Sequence, residues 1–162
     1  MGKEKEVRYL STEHAQYFRL LSPLNHECTS NETTLYNCIA YAAGDESNWW
    51  QPEQLDDRPT VWPDGAIRDY SIEALISVFQ ILGYTVCNDG TLEPGFEKVA
   101  LYVKADGEYG HAARQESDGY WKSKLGDWED IRHATPEVVE GPEYGNIAKY
   151  MKRPKLNRIE AR

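Results

Sequence analysis

Cysteine is scarce in this sequence, long apolar runs are missing, and basic residues are outnumbered. The three cysteines stand at 28, 38 and 87 with no CxxC spacing. Neither a disulfide framework nor a cysteine zinc site follows from them. No window approaches the continuous apolar length of a membrane span, and "MGKEKEVRYL" has charges with no apolar stretch behind them. A secretory leader is therefore not expected, and a reduced, cytoplasmic protein is. The chain has 18 Lys and Arg against 27 Asp and Glu, a net charge of −9. Such a surface repels phosphate backbones and anionic lipids at long range, so neither nucleic acid nor membrane is an expected partner. No internal repeat or low-complexity tract is present. No metal or cofactor is expected either.

What is present is enough for one well-packed domain, since 40% of 162 residues are hydrophobic. Residues 1–32 are polar and weakly periodic, an N-terminal arm with at most a short helix around Glu13 to Leu20. Residues 33–154 form the domain proper, and residues 155–162 a basic, solvated C-terminal tail. Within the domain, "TTLYNCIAYAAGD" predicts a helix over 34–43, with capping side chains ahead of it and Gly44 behind. A long irregular connection rich in acids and prolines follows, holding Trp49, Trp50 and Trp62. "SIEALISVFQILGY" predicts a second helix over 72–82, started at Ser71 or Tyr70 and stopped at Gly83. From there the pattern changes to strands: "YTVCN", "KVALYVKA", "GHAARQES", "GYWKSKLG", "IRHAT" and "YGNIAKYMKR", with a short helix after Pro136. In "GFEKVALY", Val99, Leu101 and Val103 should face one way and Ala100 and Tyr102 the other. Glu97 and Lys98 serve the structure as solvated charges at the strand entrance. Two helices followed by an antiparallel sheet is the α+β class.

Cys38 lies near the amino end of the first helix, where unpaired N–H groups and the helix dipole favour a thiolate. A buried core cysteine is the bland alternative. A Cys at a helix head, a second helix, and then a His opening a sheet strand is the order of papain-like cysteine hydrolases. His111, after Gly110, is the expected base, and His133 the one rival. A third group should orient the imidazole. With a three-residue hairpin loop ending at Gly119, residue 111 falls opposite 125 and Ser123 shares the histidine's face; Asp127 is the backup. A two-residue loop would offer Lys122 and Lys124 instead. Asn37 or the Tyr36 hydroxyl could complete an oxyanion site with the Cys38 N–H, although both also suit cap and core roles, and Tyr36 suits the core better.

The blocks "YNCIAYAAGD…WW", "LEPGFEKVALY", "HAARQ", "WKSKLG" with "EDIRH", and "YG…KRP" resemble a widespread, functionally uncharacterised bacterial domain family over roughly residues 34–154. Its Cys-then-His order is similar to the papain-like superfamily, which includes NlpC/P60 peptidases, CHAP amidases and transglutaminases. That resemblance implies a papain-like α+β fold with N-terminal helices packed on an antiparallel sheet. It also implies a cysteine hydrolase or acyl-transfer enzyme acting on an amide bond of a peptide or protein. Cys38 would be nucleophile, His111 base and Ser123 orienter, with Asn37, Trp49, Trp50 and Trp62 binding substrate. Two readings stand beside it: a catalytically inactive module holding a peptide or protein through the Trp-rich cleft, and a deamidating toxin or effector.

Overall fold

Alternating apolar side chains build a sheet with two buried faces. Residues 6–155 are described by a computed structural model. In chain order its elements are α1 (Thr12–Ala15), β1 (His26–Cys28), α2 (Cys38–Ala42), β2 (Trp49–Trp50), β3 (Thr60–Val61) and α3 (Ile72–Ile81). There follow β4 (Thr85–Cys87), β5 (Phe96–Val103), β6 (Tyr109–Gln115), β7 (Trp121–Lys124), β8 (Asp130–His133), a 3₁₀ turn (Pro136–Val139) and β9 (Asn146–Pro154). Seven strands form one antiparallel sheet in the order β1-β8-β7-β6-β5-β9-β4, while β2 and β3 pair in parallel beside it.

The central strand β5 shows why both faces are dry. Val99 and Leu101 point into one core with Leu75, Val78 and Phe79 of α3 and Ile39 of α2. Ala100 and Tyr102 point into the other, with Leu10, Phe18, Trp121, Ile131 and Val139. Fully burying each large apolar side chain contributes about 2 kcal/mol. The second face is thus covered by the N-terminal segment and the 3₁₀ turn. His26 fastens that segment: its Nδ1 lies 2.6 Å from the Ser22 carbonyl, and its Nε2 accepts the Leu10 N–H.

Two expectations change here. The papain-like arrangement of N-terminal helices on a sheet is not what the chain adopts. It is mostly β, with α-helices of only four, five and ten residues. The predicted helix over 34–43 shortens to Cys38–Ala42, because Asn37 is extended and its side chain caps the Ala40 N–H at 3.2 Å. Residues 26–28 of the N-terminal segment also add β1 to the edge of the sheet at β8. The second change concerns Lys98, which is buried rather than solvated. Its ammonium reaches the Asp89 carbonyl and the Asp89 and Glu93 carboxylates. Glu97 pairs with Arg153, whose Nη1 donates to the Leu82 carbonyl at 2.7 Å and so closes the end of α3.

Candidate active site

The β6–β7 ladder is short. Only Arg114 with Lys122 and Gln115 with Trp121 are paired, so residues 111–113 run beyond the paired stretch. This register puts 111 opposite 125. The head of α2 packs against both strands. Asn37 holds it there: its Oδ1 accepts the Ala40 and Trp50 N–H groups, and its Nδ2 donates to the Trp50 carbonyl at 2.7 Å. The Cys38 sulfur then meets the backbone N–H groups of Ala112, Ile39 and Cys38 itself, all favouring the anion, as does the charge of Lys124. Burial outweighs them and pushes the thiol up to about 11. The resting sulfur is therefore a neutral thiol, not a thiolate.

Ala112 and Cys38 pack with α2 on one face of β6, and no hydrogen bond joins the Cys38 sulfur to the His111 ring. His111 is fully buried on the other face, with Tyr102, its partner across the ladder with β5. Its ring stacks on Tyr144 with centroids 4.2 Å apart and meets Tyr102 edge-on. Its Nε2 lies 2.9 Å from Ser123 Oγ, which lies 2.8 Å from His133 Nε2. His133 Nδ1 lies 2.7 Å from the Thr135 carbonyl. That carbonyl can only accept, so His133 carries its proton on Nδ1 and its Nε2 is an acceptor. Ser123 must then donate to His133 and accept from His111 Nε2–H. Burial holds both rings neutral, His133 at about 4 and His111 well below the usual histidine range. By elimination His111 Nδ1 is a bare lone pair, and it is buried with no hydrogen-bond partner. A neutral imidazole with one free, unprotonated nitrogen is what a general base requires.

The other candidate residues fall as follows. Asp127 is exposed in the β7–β8 turn. The Tyr36 hydroxyl donates to Asp130 Oδ2 at 2.7 Å, and the Asn37 amide is committed to Trp50. Trp50 and Trp62 lie in the first core, their indole N–H groups bonded to Asp45 and to the Ile67 carbonyl. Trp49 lines a cleft of about 430 Å³ with Thr33, Thr34, Leu35 and Arg58, whose guanidinium lies 4.1 Å over the indole. Sequence reasoning missed the structural part of Lys124. Its buried ammonium donates to the Thr33, Gly126 and Trp128 carbonyls, tying the approach to α2 to the β7–β8 turn. A lysine inside "WKSKLG" carries no pattern that announces this.

A family profile, described as a domain of unknown function (DUF7689), matches residues 27–152. The chain belongs to that family. The match spans the sheet from β1 to β9 together with Cys38, His111, Ser123 and His133, so the DUF7689 domain holds every group of the site just described. No curated protein and no solved structure matches the chain. Among the described residues of this DUF7689 domain, no helix is long and apolar enough to cross a membrane.

Proposed function

We propose that this protein is a cysteine-dependent hydrolase or acyl-transfer enzyme acting on an amide bond of a peptide or protein. The observation that carries the reading is the unpartnered Nδ1 of His111, kept unprotonated by the Ser123–His133–Thr135 chain. The residue after it offers its N–H to the Cys38 sulfur. Thiol and imidazole are both neutral at rest and pack on opposite faces of β6. The reaction therefore requires the sulfur to reach Nδ1 past the stretch of β6 that is unpaired with β7. There His111 takes the S–H proton as sulfur attacks the carbonyl carbon, rather than beforehand. The imidazolium then protonates the leaving amine, leaving an acyl group on Cys38. Water or a second amine releases it, with His111 again the base. The Cys38 and Ile39 N–H groups at the head of α2, which face the sulfur at rest, supply donors for the developing oxyanion. Tyr144 covers the imidazole, so substrate reaches it as that ring moves aside. A reducing, cytoplasmic setting belongs to the proposal, because an unpaired nucleophilic thiol needs one.

A binding module without chemistry is the second reading, favoured by the Trp49–Arg58 cleft, whose lining residue Leu35 stands three residues before the helix of Cys38. Peptide mass spectrometry after exposure to an activated acyl ester separates the two. The hydrolase reading predicts an acyl adduct on Cys38 well above Cys28 and Cys87, abolished in Cys38→Ala and strongly reduced in His111→Gln. Equal, slow adducts on all three cysteines sink it and leave the binding module.

A further inference from the structure

Away from the thiol, the N-terminal helix brings a histidine against two glutamates. His14 of α1, Glu32 of the loop ahead of α2, and Glu129 of the β7–β8 turn place one donor atom each within 4.8 Å of one another. His14 Nδ1 and Glu129 Oε1 lie 3.8 Å apart. Both atoms are shielded from solvent and neither has a hydrogen-bond partner. That distance is too long for a hydrogen bond between them. Two carboxylates sharing one small volume repel, and the His14 ring nitrogen faces the same point. Cys28 Sγ stands at the margin, 4.0 Å from Glu129 Oε2. The backing ring is fixed, because His14 stacks on Trp128 with centroids 3.6 Å apart and planes within 3°.

We infer that His14, Glu32 and Glu129 form a site for a divalent transition-metal ion of the zinc type. Zinc bonds of about 2.0–2.2 Å to nitrogen and oxygen in tetrahedral geometry put ligand atoms about 3.3–3.6 Å apart. The 3.8 Å between His14 and Glu129 is within a small side-chain adjustment of that. One imidazole with two carboxylates is a borderline donor set that suits zinc better than calcium or magnesium, which prefer oxygen alone. The fourth position goes to water or to the Cys28 thiolate. The ion joins the N-terminal segment, which starts outside the family match, to the turn that Lys124 links to the approach of α2. This inference does not depend on the thiol chemistry.

Zinc ion itself is the probe, added to the chelator-treated full chain in equilibrium dialysis, with tryptophan fluorescence followed in parallel. The wild type should bind one zinc per chain, with a change in emission because Trp128 lies on the ligand ring. His14→Ala should weaken binding by more than about tenfold and remove the emission change. Glu32→Gln should also weaken binding by more than about tenfold, and Glu32 is exposed, so this variant keeps the fold. Replacing the ion by cobalt should give tetrahedral visible absorption, with a sulfur charge-transfer band if Cys28 enters. No stoichiometric zinc in the wild type, or equal affinity in the Glu32→Gln variant, overturns the site.

Discussion

At the scale of single residues, the account turns on one proton. The Thr135 carbonyl fixes the tautomer of His133, Ser123 passes the constraint on, and His111 Nδ1 is left bare. Ser123→Ala removes the middle of that chain, so His111 is free to protonate the wrong nitrogen. Acylation of Cys38 should slow by about ten- to a hundredfold while the fold persists, read as a rate against a melting curve. Ser123 was within reach of the sequence, because strand alternation and one hairpin register place it on the face of His111. His133 was seen only as a competitor. Its role depends on the β7–β8 register, which pairs Trp121 with His133 across strands that the sequence alone does not align.

At the scale of elements, short pieces are held by specific bonds rather than by length. The five-residue α2 could not persist alone, so its cap matters more than helix propensity. Asn37→Ala removes that cap and the two bonds to Trp50, and should cost about 2 kcal/mol in urea unfolding. The loop Gly141–Gly145, which seats Tyr144 on His111, is as constrained. Gly145 has φ +81°, and a Cβ there would lie 1.9 Å from the Val103 carbonyl oxygen. Gly145→Ala should destabilise the protein by more than about 3 kcal/mol. A variant as stable as wild type would show that the loop has another conformation. The strands after Gly83 and the helix α3 were legible because their apolar periods of 2 and 3.6 are strong. The start of α2 was not, because Thr33 and Thr34 offer capping side chains as well as Asn37, which is the one the helix uses. β1 was not either, since "HEC" is too short to show alternation.

At the scale of the whole molecule, the two buried faces of the sheet explain both what was read and what was missed. Val99, Leu101, Ala100 and Tyr102 were legible as two opposed rows. What covers the second row, Leu10 and Phe18, comes from a segment too polar on average to be read as core. The same burial makes stability depend on acidity. His26, His111 and His133 are all held neutral, with folded values below the ordinary 6.5. The unfolded chain therefore binds more protons as the pH falls below that value, so stability is lost from about pH 6.5 downward until the folded values are reached. His133, at about 4, contributes about 3 kcal/mol of that loss. Asp130, raised by burial, acts in the opposite direction near its own lower range. Urea midpoints should fall steadily between about pH 7 and pH 4.5, and a flat profile would contradict neutral buried histidines.

The most direct test of the central claim is the pH dependence of Cys38 acylation by an activated ester, in wild type and His111→Gln. If His111 is the general base for a thiol of about 11, the wild-type rate should already be level between about pH 7 and pH 9. The variant should be slower by about two orders of magnitude at pH 7 and rise tenfold per pH unit toward the thiol's own value. Two superimposable profiles, both rising with that slope, would mean that the imidazole takes no proton from Cys38.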